Sequence, residues 1–321
     1  MERAFIFSSG KLKRRDNTLY FEDKEGNKRF LPADSLKEIL LFGEVEVNSR
    51  LLNFLSQKGI ILHTFNYYGF YSGSYFPRRT KVSGYLTVRQ AKHYLEPTSR
   101  LNLAASFVDG ASFHIDRNLR KRGVEDTEIR KLRSKIYSAS TIPQLMQIEG
   151  RIREIYYRHL GNLLKGFEFK KREKRPPKNP VNALISFGNS LMYSTVLAEI
   201  YQTHLDPSIS FLHEPLTGRY SLSLDLAEIF KPLVVDSVIL SLINRKVLSE
   251  RDFDKGLNYA LLSESGRKKF LKHYQEKLET TVKHRALKRK VSYRHLIRLE
   301  CYKLVKHILG EEFYKPLKAW W

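Results

Sequence analysis

Apolar and polar residues alternate with a period of two along the N-terminal part of the chain. Ala4-Phe5-Ile6-Phe7-Ser8 and Thr18-Leu19-Tyr20-Phe21-Glu22 read as half-buried strands. A charged loop, Asp23-Lys24-Glu25-Gly26-Asn27, joins the second to Lys28-Arg29-Phe30-Leu31-Pro32, with Gly26 supplying a positive φ for the hairpin. Ile39-Leu40-Leu41-Phe42-Gly43 and Val45-Glu46-Val47 continue the pattern. A short helix follows, capped by Asn48 or Ser49, carrying Leu51, Leu52, Phe54 and Leu55 and ending at Gly59. Ile60 to Phe65 is a further strand, and Tyr71-Ser72-Gly73-Ser74-Tyr75-Phe76-Pro77 resembles an edge strand.

From about Thr87 the period becomes helical. Residues 100–122 place Leu103, Phe107, Ala111 and Ile115 on one face, and residues 144–164 do the same with Leu145, Ile148, Ile152, Ile155 and Tyr156. Residues 181–205 are apolar on most sides, as in a helix enclosed by others. Helices are also predicted over 224–246, 267–284 and 293–309. The expected fold class is α+β: a small, mostly β domain over 1–84, then a larger all-α domain over 85–321. A length of 321 residues fits two domains better than one, and no internal repeat is visible.

Composition narrows the function. Hydrophobic residues at 42% are enough to fill a core, which excludes wholesale disorder. Lys plus Arg is 57 against 34 for Asp plus Glu, a net charge of +23, which favours a polyanionic partner through release of condensed counterions. Two clusters stand out. Residues 165–178 include Lys170, Lys171 and Arg172, and residues 283–298 include Lys288, Arg289 and Lys290. With Arg153 and Arg219 they are the candidate DNA contacts. A single cysteine, Cys301, excludes an internal disulfide and a thiolate zinc site. No run approaches the ~18 apolar residues of a spanning helix. The N-terminus lacks the apolar core of a signal peptide, so the expected location is cytoplasmic and away from the membrane.

Candidate chemistry lies in three distant segments. Glu149 sits beside the Ile148/Ile152/Ile155 seam, next to Gly150, whose missing side chain would admit a ligand or a backbone. His213 ends an apolar stretch bracketed by Pro207 and Pro215. Asp225 and Glu228 share a helix face one turn apart, and Ser223 is placed to cap that helix. Each segment has a plainer explanation: a solvated glutamate, a hydrogen-bonded core histidine, and acids favoured by the helix dipole. Taken together they form a set able to hold a divalent cation with positions open to phosphate oxygens. One imidazole among carboxylates moves the preference from Mg2+ toward Mn2+.

These segments resemble the CRISPR-associated adaptation nuclease and integrase family, the first and most widespread of the Cas proteins. The resemblance rests on Ile148-Glu149-Gly150 with Tyr156, Asn179-Pro180-Val181-Asn182-Ala183-Leu184, Phe211-Leu212-His213, and Ser221 to Glu228 followed by Phe230-Lys231-Pro232. It implies metal ligation by Glu149, His213 and Glu228, with Asp225 assisting the catalytic group and Asn182 as a helix cap or supporting residue. Glu228 stands where many relatives carry Asp, which keeps the ligand class and lengthens its reach. The implied function is insertion of short foreign DNA as spacers into a CRISPR array, in the adaptation stage of antiviral defence, by Mg2+- or Mn2+-dependent transesterification from a 3′-hydroxyl. Metal-dependent endonuclease activity on DNA is implied with it. The implied partners are double-stranded and branched DNA, a second copy of the chain joined through the β domain near residues 67–75, and the small second Cas protein. The alternative is a basic nucleic-acid-binding protein without catalysis.

Overall fold

The structure, a computed structural model, describes residues 3–78, 81–173, 176–256 and 259–321. The chain divides into two units, Met1–Thr80 and Lys81–Trp321.

The first unit holds two four-stranded sheets. In one, β2 (Gly10–Arg15), β3 (Thr18–Asp23) and β4 (Lys28–Leu31) form an antiparallel meander, with β6 (Val45–Glu46) parallel to β2. In the other, β1 (Arg3–Ile6), β5 (Glu38–Leu41) and β7 (Ile61–Phe65) run parallel, and β8 (Tyr71–Tyr75) closes the edge antiparallel to β7. One helix, α1 (Ser49–Lys58), starts where the Asn48 side chain accepts the Leu51 amide at 2.9 Å and stops at Gly59, φ +67°. Leu12, Leu19, Leu31, Ile39, Leu51, Phe54 and Leu62 share its core.

The strand β2 is the element the periodicity conceals. Only Leu12 in its sequence GKLKRR is a buried hydrophobic, and its cations are explained by neighbours: Lys13 pairs with Glu22 at 2.6 Å, and Arg14 lies 4.4 Å over the Phe54 ring. Asp16, at φ +52°, makes the tight turn into β3.

The second unit is helix-rich. Its first helices are α2 (Gly84–Leu95), α3 (Pro97–Arg120), α4 (Thr127–Ser134) and α5 (Ile142–Leu163). The next, α6 (Pro180–Tyr201), is buried along nearly its whole length. Then α7 (Ser221–Phe230) passes through a wider, π-type turn, Pro232–Asp236, into α8 (Ser237–Asn244), and α7 packs between α3 and α6. A Cβ at Gly188 on α6 would stand 2.5 Å from Val235, so only glycine allows this approach to the π turn. A hairpin of β9 (Phe253–Gly256) and β10 (Tyr259–Leu262), then α9 (Glu264–Glu279), a second hairpin of β11 (Thr281–Lys283) and β12 (Lys290–Ser292), and α10 (Tyr293–Leu309) complete it.

The unit thus departs from a purely helical one at two hairpins. The helix expected over 267–284 stops at Glu279 because Thr280-Thr281-Val282 is a β-branched run that favours extended backbone. The C-terminal segment folds back over the bundle. Glu300 accepts the Tyr314 hydroxyl at 2.5 Å and the Leu317 amide at 2.9 Å, and the Ala319 amide donates to His114 Nε2 at 3.0 Å. Among the described residues no helix is long and apolar enough to cross a membrane.

Candidate active site

The segment before α7 is irregular, yet it is pinned at many points. Gln90, fully buried on α2, donates to the carbonyls of Asp206 and Ile209 at 2.9 and 2.7 Å and accepts the Asp206 amide at 3.0 Å. Arg100 on α3 donates to the Phe211 carbonyl at 2.9 Å and to Glu214 at 2.5 Å. The Ser221 hydroxyl donates to the Ser208 carbonyl at 2.8 Å.

Asp225 completes the anchoring. Its carboxylate, fully buried on α7, accepts the amides of Phe211, Leu212 and His213 at 2.7, 2.9 and 3.0 Å, and lies 2.8 Å from His213 Nδ1. A carboxylate in this set only accepts, so Nδ1 carries a proton, and in the neutral imidazole Nε2 presents the lone pair. Asp225 is therefore the residue that folds the His213 loop and fixes the imidazole tautomer, not an acid facing a metal or DNA. The dipole explanation for these acids also fails. The first turn of α7 contains no acid, and Ser223 donates to the Tyr220 carbonyl without capping through its side chain.

One turn along α7, Glu228 meets α5. Ile152, Ile155 and Tyr156 bury one face of α5 and leave Glu149 at its border, 23% exposed as a side chain. Between the two glutamates lies Arg153. Its Nε donates to Glu149 Oε1 at 2.8 Å, and its Nη2 donates to Glu228 Oε2 in a short contact. Lys231, at i+3 on the same rod, donates to Glu228 Oε1 at 2.5 Å. Burial would lower the Arg153 pKa, but Glu149 and neighbouring acidic groups outweigh it and hold the guanidinium above its ordinary value. It stays charged under all working conditions.

A polar layer lies behind this cluster. Asn118 on α3 donates to the Pro232 carbonyl at 2.6 Å and reaches the Tyr156 hydroxyl at 3.5 Å. Asp236, at the end of the π turn, is buried, and desolvation pushes its carboxyl up to about 6 against the pull of Arg153, Tyr156 and Lys231. One of its oxygens, Oδ2, has no hydrogen-bond partner.

The predicted set therefore assembles in two pairs. Glu149 and Glu228 converge on one cation, and Asp225, a turn earlier on α7, bonds His213 of the preceding loop. Among the described residues no three His, Cys, Asp or Glu side chains stand close enough together to hold a metal ion. The donor chemistry of the glutamate pair suits a hard divalent cation, since two carboxylates already aim at a single positive centre. The centre they aim at is Arg153.

Several expectations need correcting. No backbone packs against Gly150: a Cβ there would meet open space. Arg153, expected as a DNA contact, is largely buried and bonded to both glutamates. Arg172 turns inward, donating to Asn182 Oδ1 at 2.9 Å and Ser186 Oγ at 2.8 Å, with burial lowering its pKa. Asn182 does not cap α6; Asn179 does, and Asn182 instead binds residues 171–173, donating to the Lys171 carbonyl at 3.0 Å. Arg294 and Arg298, in the second basic cluster, both pair with buried Glu199 on α6 at 2.6 Å.

The remaining cations are exposed as expected: Lys170, paired with Glu168 at 2.9 Å, Lys171 and Arg219, and Lys288, Arg289 and Lys290 around the tip of the β11–β12 hairpin. Lys174 and Arg175 of the first cluster lie outside the described residues. The pattern missed Lys231, Gln90 and Arg100. Lys231 had a signal in its i+3 spacing from Glu228; Gln90 and Arg100 are more than a hundred residues from the loop they hold and had none.

Comparison with known proteins adds an independent line. A family model described as CRISPR associated protein Cas1 matches residues 4–276. A curated relative from Thermodesulfovibrio yellowstonii, named CRISPR-associated endonuclease Cas1 3, is 51% identical over 325 residues, covering 100% of both chains. The solved structure of a CAS1 protein from Thermotoga maritima is 42% identical and superimposes with a TM-score of 0.92 over 98% of this chain and 100% of that one. A casposase bound to integration product shares the fold, with a TM-score of 0.90 at 18% identity over 99% of this chain and 94% of that one.

Proposed function

The chain belongs to the Cas1 family of CRISPR-associated proteins, and from that premise we propose that it is a metal-dependent DNA endonuclease and integrase that inserts short DNA fragments as spacers into a CRISPR array. The supporting observation is the meeting of Glu149 and Glu228, from helices far apart in sequence, on one cationic centre, with Asp225 one turn earlier on α7 holding His213. Glu149, Glu228 and His213 Nε2 are the groups that would hold Mg2+ or Mn2+. Bound there, the ion supplies Lewis-acid polarisation of the scissile phosphate.

The chain's own residues account for the rest. Asp225 keeps the proton on His213 Nδ1, so Nε2 is available as a donor of electron density. Gln90 and Arg100 hold the loop that carries the imidazole, which limits its wandering before substrate arrives. Lys231 balances Glu228 and stays with the helix. In the reaction, a fragment's 3′-hydroxyl forms the new P–O bond and the repeat's own 3′-oxygen leaves, so the number of phosphodiesters is conserved and no nucleotide cofactor is consumed. The cations of the hairpin tip, with Lys170, Lys171 and Arg219, bind backbone phosphates; such contacts set position and leave sequence choice to DNA shape and helper proteins.

Two chains associate through the β unit in this proposal, with the edge strand β8 and the exposed Tyr67 and Tyr68 before it as the contact. The small second Cas protein is the further partner. The non-catalytic reading has one observation in its favour, that both glutamates are already satisfied by ion pairs. Strand joining on branched DNA with Mn2+ separates the two readings. Wild type is expected to join ends, and Glu149→Ala, His213→Ala and Glu228→Ala are expected to bind the same DNA without joining it. Equal joining by all four proteins overturns the catalytic reading.

A further inference from the structure

The position of Arg153 has consequences for how a cation reaches the site. A guanidinium offers donors on several edges, and here two of them serve two different carboxylates, Glu149 and Glu228. The arginine side chain is 12% exposed, Glu228 8% and Lys231 7%, so the cluster is largely shut off from water. A buried carboxylate, Glu228, and a partly exposed one, Glu149, brought to the same centre would repel each other without a cation between them. Something positive must stand there in every state of the protein.

We propose that Arg153 is a built-in counter-ion that keeps Glu149 and Glu228 together while the site holds no metal, and that a divalent cation enters by displacing its guanidinium from Glu228. This rests on the metal-dependent reading above. The displaced guanidinium has a destination. Asp236 is a buried acid coupled electrostatically to Arg153 and carries an oxygen without a hydrogen-bond partner. An unpartnered buried oxygen is costly in one arrangement of the cluster and is satisfied in the other, which is how a two-position side chain is built. The π turn that ends at Asp236 joins α7, which carries Glu228, to α8, so acceptor and donor lie on one continuous rod. Arginine also suits this role better than lysine. It does not deprotonate, so a cation can enter only by moving it.

The test is Mn2+ binding by the free protein, followed by calorimetry and by the loss of the aqueous Mn2+ electron-spin signal, with thermal unfolding in chelator as a second readout. Arg153→Gln is expected to bind Mn2+ about tenfold tighter than wild type, the scale of a coupling between competing occupants, and to unfold at a lower temperature in chelator. Asp236→Asn, which takes the charge from the destination and keeps both carboxylates that Arg153 bonds in the observed arrangement, is expected to bind Mn2+ more weakly than wild type. If Arg153→Gln does not fold, Arg153→Lys carries the same expectation of tighter binding, because an ammonium cannot bridge both carboxylates with a fixed fork. Wild-type binding with no gain, or a loss, in the Arg153 variants overturns the counter-ion role and leaves the metal site standing. Absence of Mn2+ binding in wild type and variants alike overturns the metal reading and this inference with it. Binding confined to the Arg153 variants supports displacement as the barrier.

Discussion

Two buried glutamates in the helix-rich unit are each gripped by a pair of cations, and they do different work. Glu199 on α6 takes Arg294 and Arg298 from α10, both at 2.6 Å. Glu228 on α7 takes Lys231 and Arg153, but Arg153 is shared with a second acid, Glu149, which is partly exposed. The first arrangement is closed: one acid, two arginines a helical turn apart, a tie between helices. The second is balanced, two acids against two cations, and Arg153 is the member that another positive charge can replace. Burial and ion pairing therefore do not mark a site by themselves. In the function proposed above, a second carboxylate with access to solvent does.

The largest effect that separates the two is on catalysis. Glu228→Gln is expected to lower Mn2+-dependent strand joining by about 10³-fold, the scale of removing a group that acts on transition-state charge, while Glu199→Gln leaves joining by the folded fraction unchanged. Stability should show the reverse order. Glu199→Ala leaves two arginines facing a buried gap and is expected to cost about 3–5 kcal/mol in denaturant unfolding. If Glu228→Gln destabilises as much as Glu199→Ala and joins DNA normally, the distinction between tie and site is lost.

Smaller effects sharpen the picture around His213. Asp225→Asn keeps the shape but weakens four hydrogen bonds and leaves the tautomer of His213 unfixed. A loss of about 10–100-fold in joining is expected, comparable to other substitutions behind a metal ligand. His114 reports on acid stability. Burial lowers its pKa to about 3; its Nδ1 donates to the Ile229 carbonyl at 2.9 Å and its Nε2 accepts the Ala319 amide. Because the folded pKa lies below the unfolded one, its contribution is complete above about pH 6.5 and is lost as pH falls toward 3. This group alone should cost about 2 kcal/mol between pH 7 and pH 5, and His114→Gln should remove that part of the pH dependence in parallel urea titrations.

The smallest expected change in stability belongs to the exposed cations. Replacing Lys288, Arg289 and Lys290 with glutamine should leave unfolding within about 0.5 kcal/mol. The slope of log binding constant against log salt should fall by up to about 0.9 for each phosphate contact removed. Arg172→Gln should behave oppositely, with stability reduced and the slope unchanged, because its guanidinium is spent on Asn182 and Ser186.

Much of this layout was legible in the pattern of the chain, and the parts that were not share a cause. The helix 293–309 was read with its observed bounds because a run of cations precedes it and Gly310 ends it. Glu149, His213 and Glu228 were read as the chemical centre from residue type and motif. Hidden from the sequence was the direction in which charges point. Lysine and arginine look alike whether they face solvent or a buried acid, so Arg153 and Arg172 were read as DNA contacts, and Arg294 and Arg298 as part of a basic cluster, when their partners are Glu149 and Glu228, Asn182, and Glu199. β2 was missed for the same reason, since its cations are held by Glu22 and the Phe54 ring. Pairings across a hundred residues have no local signature, and they decide which cations are free for a ligand.

A crystal structure of the wild-type protein soaked in Mn2+ bears most directly on the central claim. The account predicts one ion in contact with Glu149, Glu228 and His213 Nε2, with the Arg153 guanidinium withdrawn from Glu228. An ion bound elsewhere, or none, with Arg153 still bridging the two glutamates, would contradict it.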